Sequence, residues 1–308
     1  MPMPDSASEQ PRVAVIGLGS MGYGMALSLQ RAGLHVTGCD VSADAVQRFG
    51  RDGGHGAATP AEAVRDAAIV VSVVVNAAQT EAILFGANGV AETLAKDAVF
   101  ISSATMDPDV ARQLAKRLEA TGRHYLDAPI SGGAQRAAEG ELTILASGSA
   151  AAFAKARPAL DAMAAKLYEL GDEAGQGAAF KMINQLLAGV HIAAASEAIA
   201  FAAKQGLDIR RVYEVITASA GNSWMFENRM PHVLDGDYSP RSAVDIFVKD
   251  LGIIQDMART AKFPVPVSAA ALQMFLMTSA SGMGRDDDAS VARMYARVTG
   301  THLPGEPK

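Results

Sequence analysis

The run Val13-Ala14-Val15-Ile16-Gly17-Leu18-Gly19-Ser20-Met21-Gly22 decides the fold. Its four apolar residues read as a strand, Gly17 to Gly22 as a G-x-G-x-x-G turn, and the following Tyr23-Gly24-Met25-Ala26-Leu27-Ser28-Leu29 as a helix. That order builds a cradle for a dinucleotide pyrophosphate. Gly17 permits the tight turn, Gly19 lets the backbone approach the phosphates, and Gly22 lets the helix pack closely on the strand. The helix N-terminus supplies N–H groups and partial positive charge. Gly17, Leu18, Gly19, Ser20, Met21 and Gly22 are therefore the expected cofactor-binding residues. In a chain with 29 glycines the bare spacing is weak, and its context gives it weight. A second apolar run, His35-Val36-Thr37-Gly38-Cys39, ends in Asp40, at about the ~20-residue distance where an acid meets the adenosine ribose. A carboxylate there accepts hydrogen bonds from ribose hydroxyls and repels a 2′-phosphate. No arginine follows in Asp40-Val41-Ser42-Ala43, so the expected cofactor is NAD; Ser42 is the better candidate for the next helix cap.

Outward from this turn, strand-like runs at 12–16, 35–39, 68–75, 98–103, 124–127 and 142–147 alternate with helix-like runs. The helical stretches lie near 21–32, 42–53, 60–66, 79–85, 107–121 and 149–165. The run 68–75 is apolar on both faces, as suits a central parallel strand covered on each side. The alternation predicts an α/β fold, an N-terminal Rossmann-type doubly wound sheet. After Gly171 the character changes. From Gly177 to Gln205 the chain is almost uninterrupted helix formers, which predicts one long helix ended by Gly206. Helices near 208–219, 222–234, 240–262 and 265–282 predict a C-terminal all-α domain. The expected organisation is a disordered leader at 1–11, an NAD-binding domain at 12–174, an interdomain helix at 175–205 hinged at Gly175–Gly177, and an all-α substrate and oligomerisation domain at 206–308.

Composition excludes several function classes. A net charge of −6 argues against nucleic acid as the main partner, because phosphate neutralisation needs a basic face. An anionic substrate then needs a local cationic site. The one cysteine, Cys39, cannot form an intramolecular disulfide, which fits a reducing cytoplasm. Residues 1–10 are polar and lack the apolar core of a signal peptide. No run approaches the ~18 consecutive apolar residues of a membrane span, so no membrane partner is expected. The six histidines are scattered, and Asp286-Asp287-Asp288 reads as a loop and helix start, so no metal is expected.

Five further clusters carry chemistry. Val75 and Asn76 close the third strand, where open α/β sheets bind ligands, and are candidate cofactor contacts; Asn76 reads equally well as a turn residue. In Ser103-Ala104-Thr105-Met106-Asp107-Pro108, Thr105 caps the next helix, lines the nicotinamide pocket, or does both. In Asp127-Ala128-Pro129-Ile130-Ser131-Gly132-Gly133 a strand breaks into a turn. Ser131, Gly132 and Gly133 offer a hydroxyl and backbone N–H groups to a substrate carboxylate. Lys181 and Asn184 are spaced i, i+3 on one face of the long helix. A lysine among Phe180, Met182, Ile183 and Leu187 is costly to bury charged, and can then relay a proton near neutral pH; the alternative is a surface lysine whose stem covers apolar neighbours. Lys249, in Phe247-Val248-Lys249-Asp250-Leu251, reaches the cofactor or a substrate anion, or belongs to a solvated Lys-Asp face.

Together these residues resemble the β-hydroxyacid dehydrogenase family, over about 12–299. Gly17 through Ala26 is similar to its N-terminal signature, Asp127 through Gly133 to its substrate-binding motif, Gly177 through Asn184 to its catalytic helix, and Lys249-Asp250-Leu251 to its cofactor-contacting motif. The resemblance implies NAD(P)-dependent oxidation of a small hydroxy acid, with Lys181 as acid/base and Asn184 holding the substrate. It also implies Ser131, Gly132 and Gly133 on the carboxylate, Thr105 and Lys249 at the NAD end, and a homodimer or homotetramer. The family pattern around Thr105 differs here, so only the threonine transfers. Ser219 through Arg229 is similar to the branch acting on L-threonate, which implies oxidation at C2 to 2-dehydro-L-erythronate and Asn222, Trp224, Phe226 and Arg229 lining the pocket, unless Trp and Phe simply pack a helix. Activities on 3-hydroxyisobutyrate or tartronate semialdehyde use the same constellation, and a non-catalytic dinucleotide sensor is the alternative of a different class.

Overall fold

The computed structural model describes residues 10–306. Most of the leader expected at 1–11 therefore lies outside the described residues. The chain divides into two compact units, one reaching Lys181 and one beginning at Met182.

In the first unit, β1 (Arg12–Ile16), α1 (Gly22–Arg31), β2 (His35–Cys39), α2 (Ala43–Arg51), β3 (His55–Ala57), α3 (Pro60–Val64), β4 (Ile69–Ser72), α4 (Ala77–Phe85), β5 (Val99–Ser102), α5 (Pro108–Glu119) and β6 (His124–Asp127) alternate in order. The six strands form one parallel sheet in the order β3-β2-β1-β4-β5-β6. Strand order reverses beside β1, and the crevice at that point is where such sheets take ligands. The two-residue period of the strands splits the core in two. Val13, Val15, Ile69, Val71, Val99 and Ile101 pack on one face, and Ala14, Ile16, Val70 and Phe100 on the other. A sheet covered on both faces explains why these strands are apolar throughout.

Beyond β6 come β7 (Ile130–Ser131), α6 (Gly133–Glu139), β8 (Leu142–Ala146), α7 (Ala150–Met163) and β9 (Ala164–Glu169). These strands form a separate sheet, β7 antiparallel to β8 and β8 parallel to β9. Three expectations are corrected here. The run 142–147 belongs to this second sheet, the helix expected through 165 gives way to β9 at Ala164, and the central strand expected at 68–75 is regular only over Ile69–Ser72. The short elements β3 and α6 lack the length to show as periodic signals in the sequence.

The long helix α8 (Gln176–Lys204) runs into the second unit. Gly206, at φ +76°, terminates it, with the Leu207 N–H returning to the Ala202 carbonyl at 3.1 Å. The second unit continues with α9 (Ile209–Thr217), α10 (Trp224–Asp235), α11 (Val244–Ala261), α12 (Pro266–Thr278) and α13 (Val291–Thr299), the last following the helix start read at Asp286-Asp287-Asp288. Helix α12 ends earlier than expected, in a turn over Ser279–Met283 where Gly282 takes φ +85°. By length and mean hydropathy (1.7) α8 is apolar enough to cross a membrane, although 44% of that stretch is buried within the chain.

Candidate active site

The sequence candidates of the first unit lie where its parallel strands end. Gly17 follows β1 at φ +98°, its N–H donating to Cys39 O at 2.8 Å. A Cβ on Gly22 would stand 1.9 Å from Gly17 O, whereas one on Gly19 would meet nothing within 4 Å. The turn is thus closed on its inner side and open on its outer side. Met21 at the N-cap of α1 gives no side-chain hydrogen bond, and no acidic residue occupies the first turn. Open glycine backbone at an uncapped helix N-terminus fits a pyrophosphate. A cleft of about 450 Å³ lies against this turn, lined by Gly19, Ser20, Tyr23, Arg48 and Ala134 among others. The Arg48 guanidinium sits 4.0 Å above the Tyr23 ring.

Asp40 is bound to the turn it was expected to serve. Its Oδ2 accepts from Leu18 N at 2.6 Å and its Oδ1 from Ser42 N at 2.8 Å. Ser42 caps α2. After β4, Val75 is half-exposed and its N–H donates to Gln79 Oε1 at 2.8 Å, while Asn76 Oδ1 caps α4 by accepting from Gln79 N at 2.9 Å. Asn76 thus serves as the cap of α4. After β5, Thr105 lies three residues beyond Ser102 but does not cap α5. Asp107 does, accepting from Asp109 N at 2.7 Å, because Pro108 at the first helical position fixes the cap one residue before it.

The loop after β6 holds the remaining candidates of this unit. Ser131 pairs with Thr143 of β8, so the turn starts from a fixed strand. Gly132 (φ +139°) and Gly133 (φ +81°) adopt backbone conformations that side chains disfavour, and α6 begins at Gly133. Lys181 is 7% exposed, and its Nζ donates to Ile130 O at 2.8 Å. It is an interior lysine, not a surface one. The structure thus brings the amine to the residue preceding Ser131.

Sequence reasoning leaves Asp127 outside the site. Its carboxylate is fully buried, and Oδ2 accepts from Gly175 N at 2.9 Å and Ala178 N at 2.8 Å. Burial pushes its carboxyl up to about 6, against those two N–H bonds, the Ser147 hydroxyl and the Arg112 charge, which lower it.

In the second unit Asn184 donates to Gln185 Oε1 at 2.9 Å, and Gln185 Nε2 donates to Asp250 Oδ2 at 2.6 Å. Asp250 is 1% exposed and pairs through Oδ1 with Lys249 Nζ at 2.6 Å. The Lys-Asp pair is therefore no solvated face, and Gln185 is a further residue that the sequence does not reveal.

Of the residues expected to line a pocket, Phe226 and Arg229 are tied into the helical core, whereas Trp224 is exposed. Phe226 is buried and stacks on Tyr213 at 5.9 Å, Asn222 bonds Glu227, and Arg229 pairs with the fully buried Asp288 at 2.7 Å. Asp287 is likewise buried and bonds His232 Nδ1 at 2.8 Å. Arg241 can only donate, and it meets His232 Nε2 at 2.6 Å, so Nδ1 carries the imidazole proton toward Asp287. The run Asp286-Asp287-Asp288 is thus an anchor, beyond the loop and helix start expected of it. No group of His, Cys, Asp or Glu among the described residues is arranged to hold a metal.

Comparison with known proteins places the chain in a family. Residues 12–171 match the NAD binding domain of 6-phosphogluconate dehydrogenase, and residues 175–295 match the NAD-binding family of NADP-dependent 3-hydroxyisobutyrate dehydrogenase. The chain belongs to the β-hydroxyacid dehydrogenase family and is an NAD-dependent dehydrogenase acting on the CH–OH of a hydroxy acid. Two relatives narrow the likeness further. The L-threonate dehydrogenase of Cupriavidus necator is 53% identical over 96% of this chain and 98% of its own, and that of Escherichia coli K12 is 48% identical over 95% and 96%. A crystal structure from Salmonella typhimurium, described as a 3-hydroxyisobutyrate dehydrogenase, is 47% identical, superimposes with a TM-score of 0.89, and covers 92% of this chain and 100% of its own.

Proposed function

We propose that the chain oxidises L-threonate at C2 to 2-dehydro-L-erythronate, with NAD as cofactor and Lys181 as general acid/base. One observation carries the residue assignment: the buried Lys181 amine lies 2.8 Å from the carbonyl of Ile130, next in sequence to the Ser131 turn. When bound, NAD supplies the acceptor for the hydride. The Ser131 hydroxyl and the Gly132 and Gly133 N–H groups hold the substrate carboxylate. Asn184, one turn further along α8, helps to hold the substrate. Lys181 as the free amine takes the proton of the C2 hydroxyl while the C2 hydrogen leaves as hydride, so one C=O replaces one CH–OH. In reverse, the Lys181 ammonium returns the proton and stabilises charge growing on the carbonyl oxygen. Thr105 and Lys249 contact the nicotinamide end, with Val75 and Asn76 in the loop after β4. Asp40, without a following arginine, favours NAD over NADP.

The substrate is supported by the names of the relatives that share 47–53% identity, the L-threonate dehydrogenases and the Salmonella 3-hydroxyisobutyrate dehydrogenase. A panel of L-threonate, D-threonate, D-erythronate, 3-hydroxyisobutyrate and glycerate, each with NAD and NADP, separates them at the NADH absorbance. The highest kcat/KM belongs to L-threonate with NAD on this reading. A preference for 3-hydroxyisobutyrate or glycerate contradicts it, and NADH binding without turnover on any acid identifies a sensor.

Self-association is part of the same proposal. Phe180, Ile183, Leu187 and Phe201 of α8 are about half-exposed or more, an apolar stripe that a second copy of the chain would cover. Sedimentation reads the assembly, and a monomer would contradict it. The buried, unpaired Cys39 supports a cytoplasmic location; a signal-directed export of the native protein would contradict it.

A further inference from the structure

We infer that Asp127 is a positioning residue for proton transfer, holding the first turn of α8 so that Lys181 meets the substrate turn in one fixed geometry. The inference rests on the reading of Lys181 as acid/base. It starts from the unpaired N–H groups at the start of any helix. In α8 they are gathered by side chains from two different sheets. Asp127, the last residue of β6, accepts from Gly175 N at 2.9 Å and Ala178 N at 2.8 Å, and Ser147, just past β8, accepts from Gly177 N at 2.9 Å. Asp127 and Ser147 are themselves bridged through their backbones, N to O at 3.0 Å and 2.8 Å. No bulkier residue fits the joint. A Cβ on Gly177 would stand 2.3 Å from Leu145 O, and Gly175 adopts φ +99°.

Lys181 follows three residues after Ala178 and donates to Ile130 O, three residues after Asp127. The segment from Asp127 to Ile130 therefore grips α8 twice, by a carboxylate at its start and by a carbonyl one turn further on. The same segment runs directly into Ser131-Gly132-Gly133. A buried carboxylate with its second oxygen, Oδ1, lacking a hydrogen-bond partner is a costly cap where a serine would serve. What the carboxylate adds is two strong acceptor bonds from one oxygen, which fix the helix start in both directions. A lysine displaced by a fraction of an ångström loses rate without losing cofactor.

The test compares Asp127→Ala, Asp127→Asn, Lys181→Ala and the Asp127→Ala/Lys181→Ala double variant, reading kcat, KM for the hydroxy acid and the NADH Kd by fluorescence. Asp127→Ala is expected to lower kcat about tenfold to a hundredfold while the NADH Kd stays within about twofold. Asp127→Asn keeps an acceptor oxygen for both N–H groups and is expected to restore kcat to within about threefold. The double variant is expected to lose no more than Lys181→Ala alone. A kcat for Asp127→Ala within about twofold of the wild type overturns the inference, as does an asparagine variant no better than the alanine one or fully additive losses. Should Asp127→Ala fail to fold, Ser147→Ala removes the acceptor of Gly177 N and the hydroxyl that donates to Asp127 Oδ2 at 3.4 Å, leaving the Asp127 carboxylate in place; a lower kcat at unchanged NADH Kd supports the inference, and an unchanged kcat overturns it. Undiminished turnover in Lys181→Ala by itself brings down the reading of Lys181 and this inference together, whereas loss there with none in Asp127→Ala brings down the inference alone.

Discussion

The amine of Lys181 donates to the backbone carbonyl of Ile130 across 2.8 Å, and Ile130 is followed at once by Ser131. The group proposed to move the proton and the turn proposed to hold the carboxylate are thus fixed to one another by a single bond. Ser131 is held in turn by its pairing with Thr143, so the reference point of the amine is a strand, not a free loop. Sites built on regular elements keep their geometry better than sites carried on loops alone.

The turn itself should tolerate no side chain at Gly132. Its φ of +139° is strained for any other residue, and a Cβ there would stand 3.1 Å from both Cβ and Cδ of Arg136. Gly132→Ala is expected to cost about 1–3 kcal/mol in backbone strain. It should raise KM for the hydroxy acid at least about tenfold while NADH affinity holds. Steady-state kinetics beside NADH fluorescence titration checks this, and an unchanged KM would remove the turn from substrate binding.

Asp40 is expected to set the choice of dinucleotide. Its carboxylate ties Leu18 N and Ser42 N together, and on the proposed reading it would repel a 2′-phosphate. Asp40→Ala should narrow the NAD over NADP ratio of kcat/KM by about tenfold or more, a change of ~1.4 kcal/mol. Some general loss of cofactor affinity should accompany it, because the Leu18 N–H loses its acceptor. If the ratio is the same in wild type and variant, Asp40 does not meet the ribose.

Arg229 and Asp288 should govern stability in a pH-dependent way rather than substrate affinity. Burial pushes the Asp288 carboxyl up to about 6 even though the Arg229 charge pulls it down. The carboxyl titrates lower in the unfolded chain, so between the two values the folded chain binds more protons. Its contribution to stability is therefore fully present below the unfolded value and is lost as pH rises through about 6. Arg229→Met removes the compensating charge and leaves a buried carboxylate, which costs about 3–5 kcal/mol when ionised. Urea unfolding should show most of that cost at about pH 7.5 and much less at about pH 5, with KM little changed. A pH-independent cost, or a raised KM at normal stability, would return Arg229 to the pocket.

The dinucleotide turn and Asp40 are legible in the sequence, because strand, turn and acid are neighbours along the chain and each glycine has a local reason. The central strands are legible too, because burial on both faces leaves an unbroken apolar run. Strand β9 is not: Ala164-Ala165-Lys166-Leu167-Tyr168-Glu169 follows an alanine-rich helix with no breaker, and only pairing with β8 makes it extended. Thr105 and Asp107 are both good caps, and the proline at position 108 decides between them. Asp127 heads a legible motif, but the Ala178 N–H that it accepts lies 51 residues away, and nothing local announces that contact. Asp287 and Asp288 resemble solvated loop acids because their partners, His232 and Arg229, lie 55 and 59 residues away. Polar residues read correctly where their partners are local, and mislead where tertiary structure supplies the partner.

The central claim is that Lys181 moves the proton, and one comparison tests it most directly: single-turnover hydride transfer and NADH affinity measured side by side in Lys181→Ala. The amine has no duty toward the dinucleotide in this account, so the NADH Kd should stay within about twofold while transfer falls by about 10²–10⁴. Transfer at near wild-type rate in a variant that still binds NADH would contradict it.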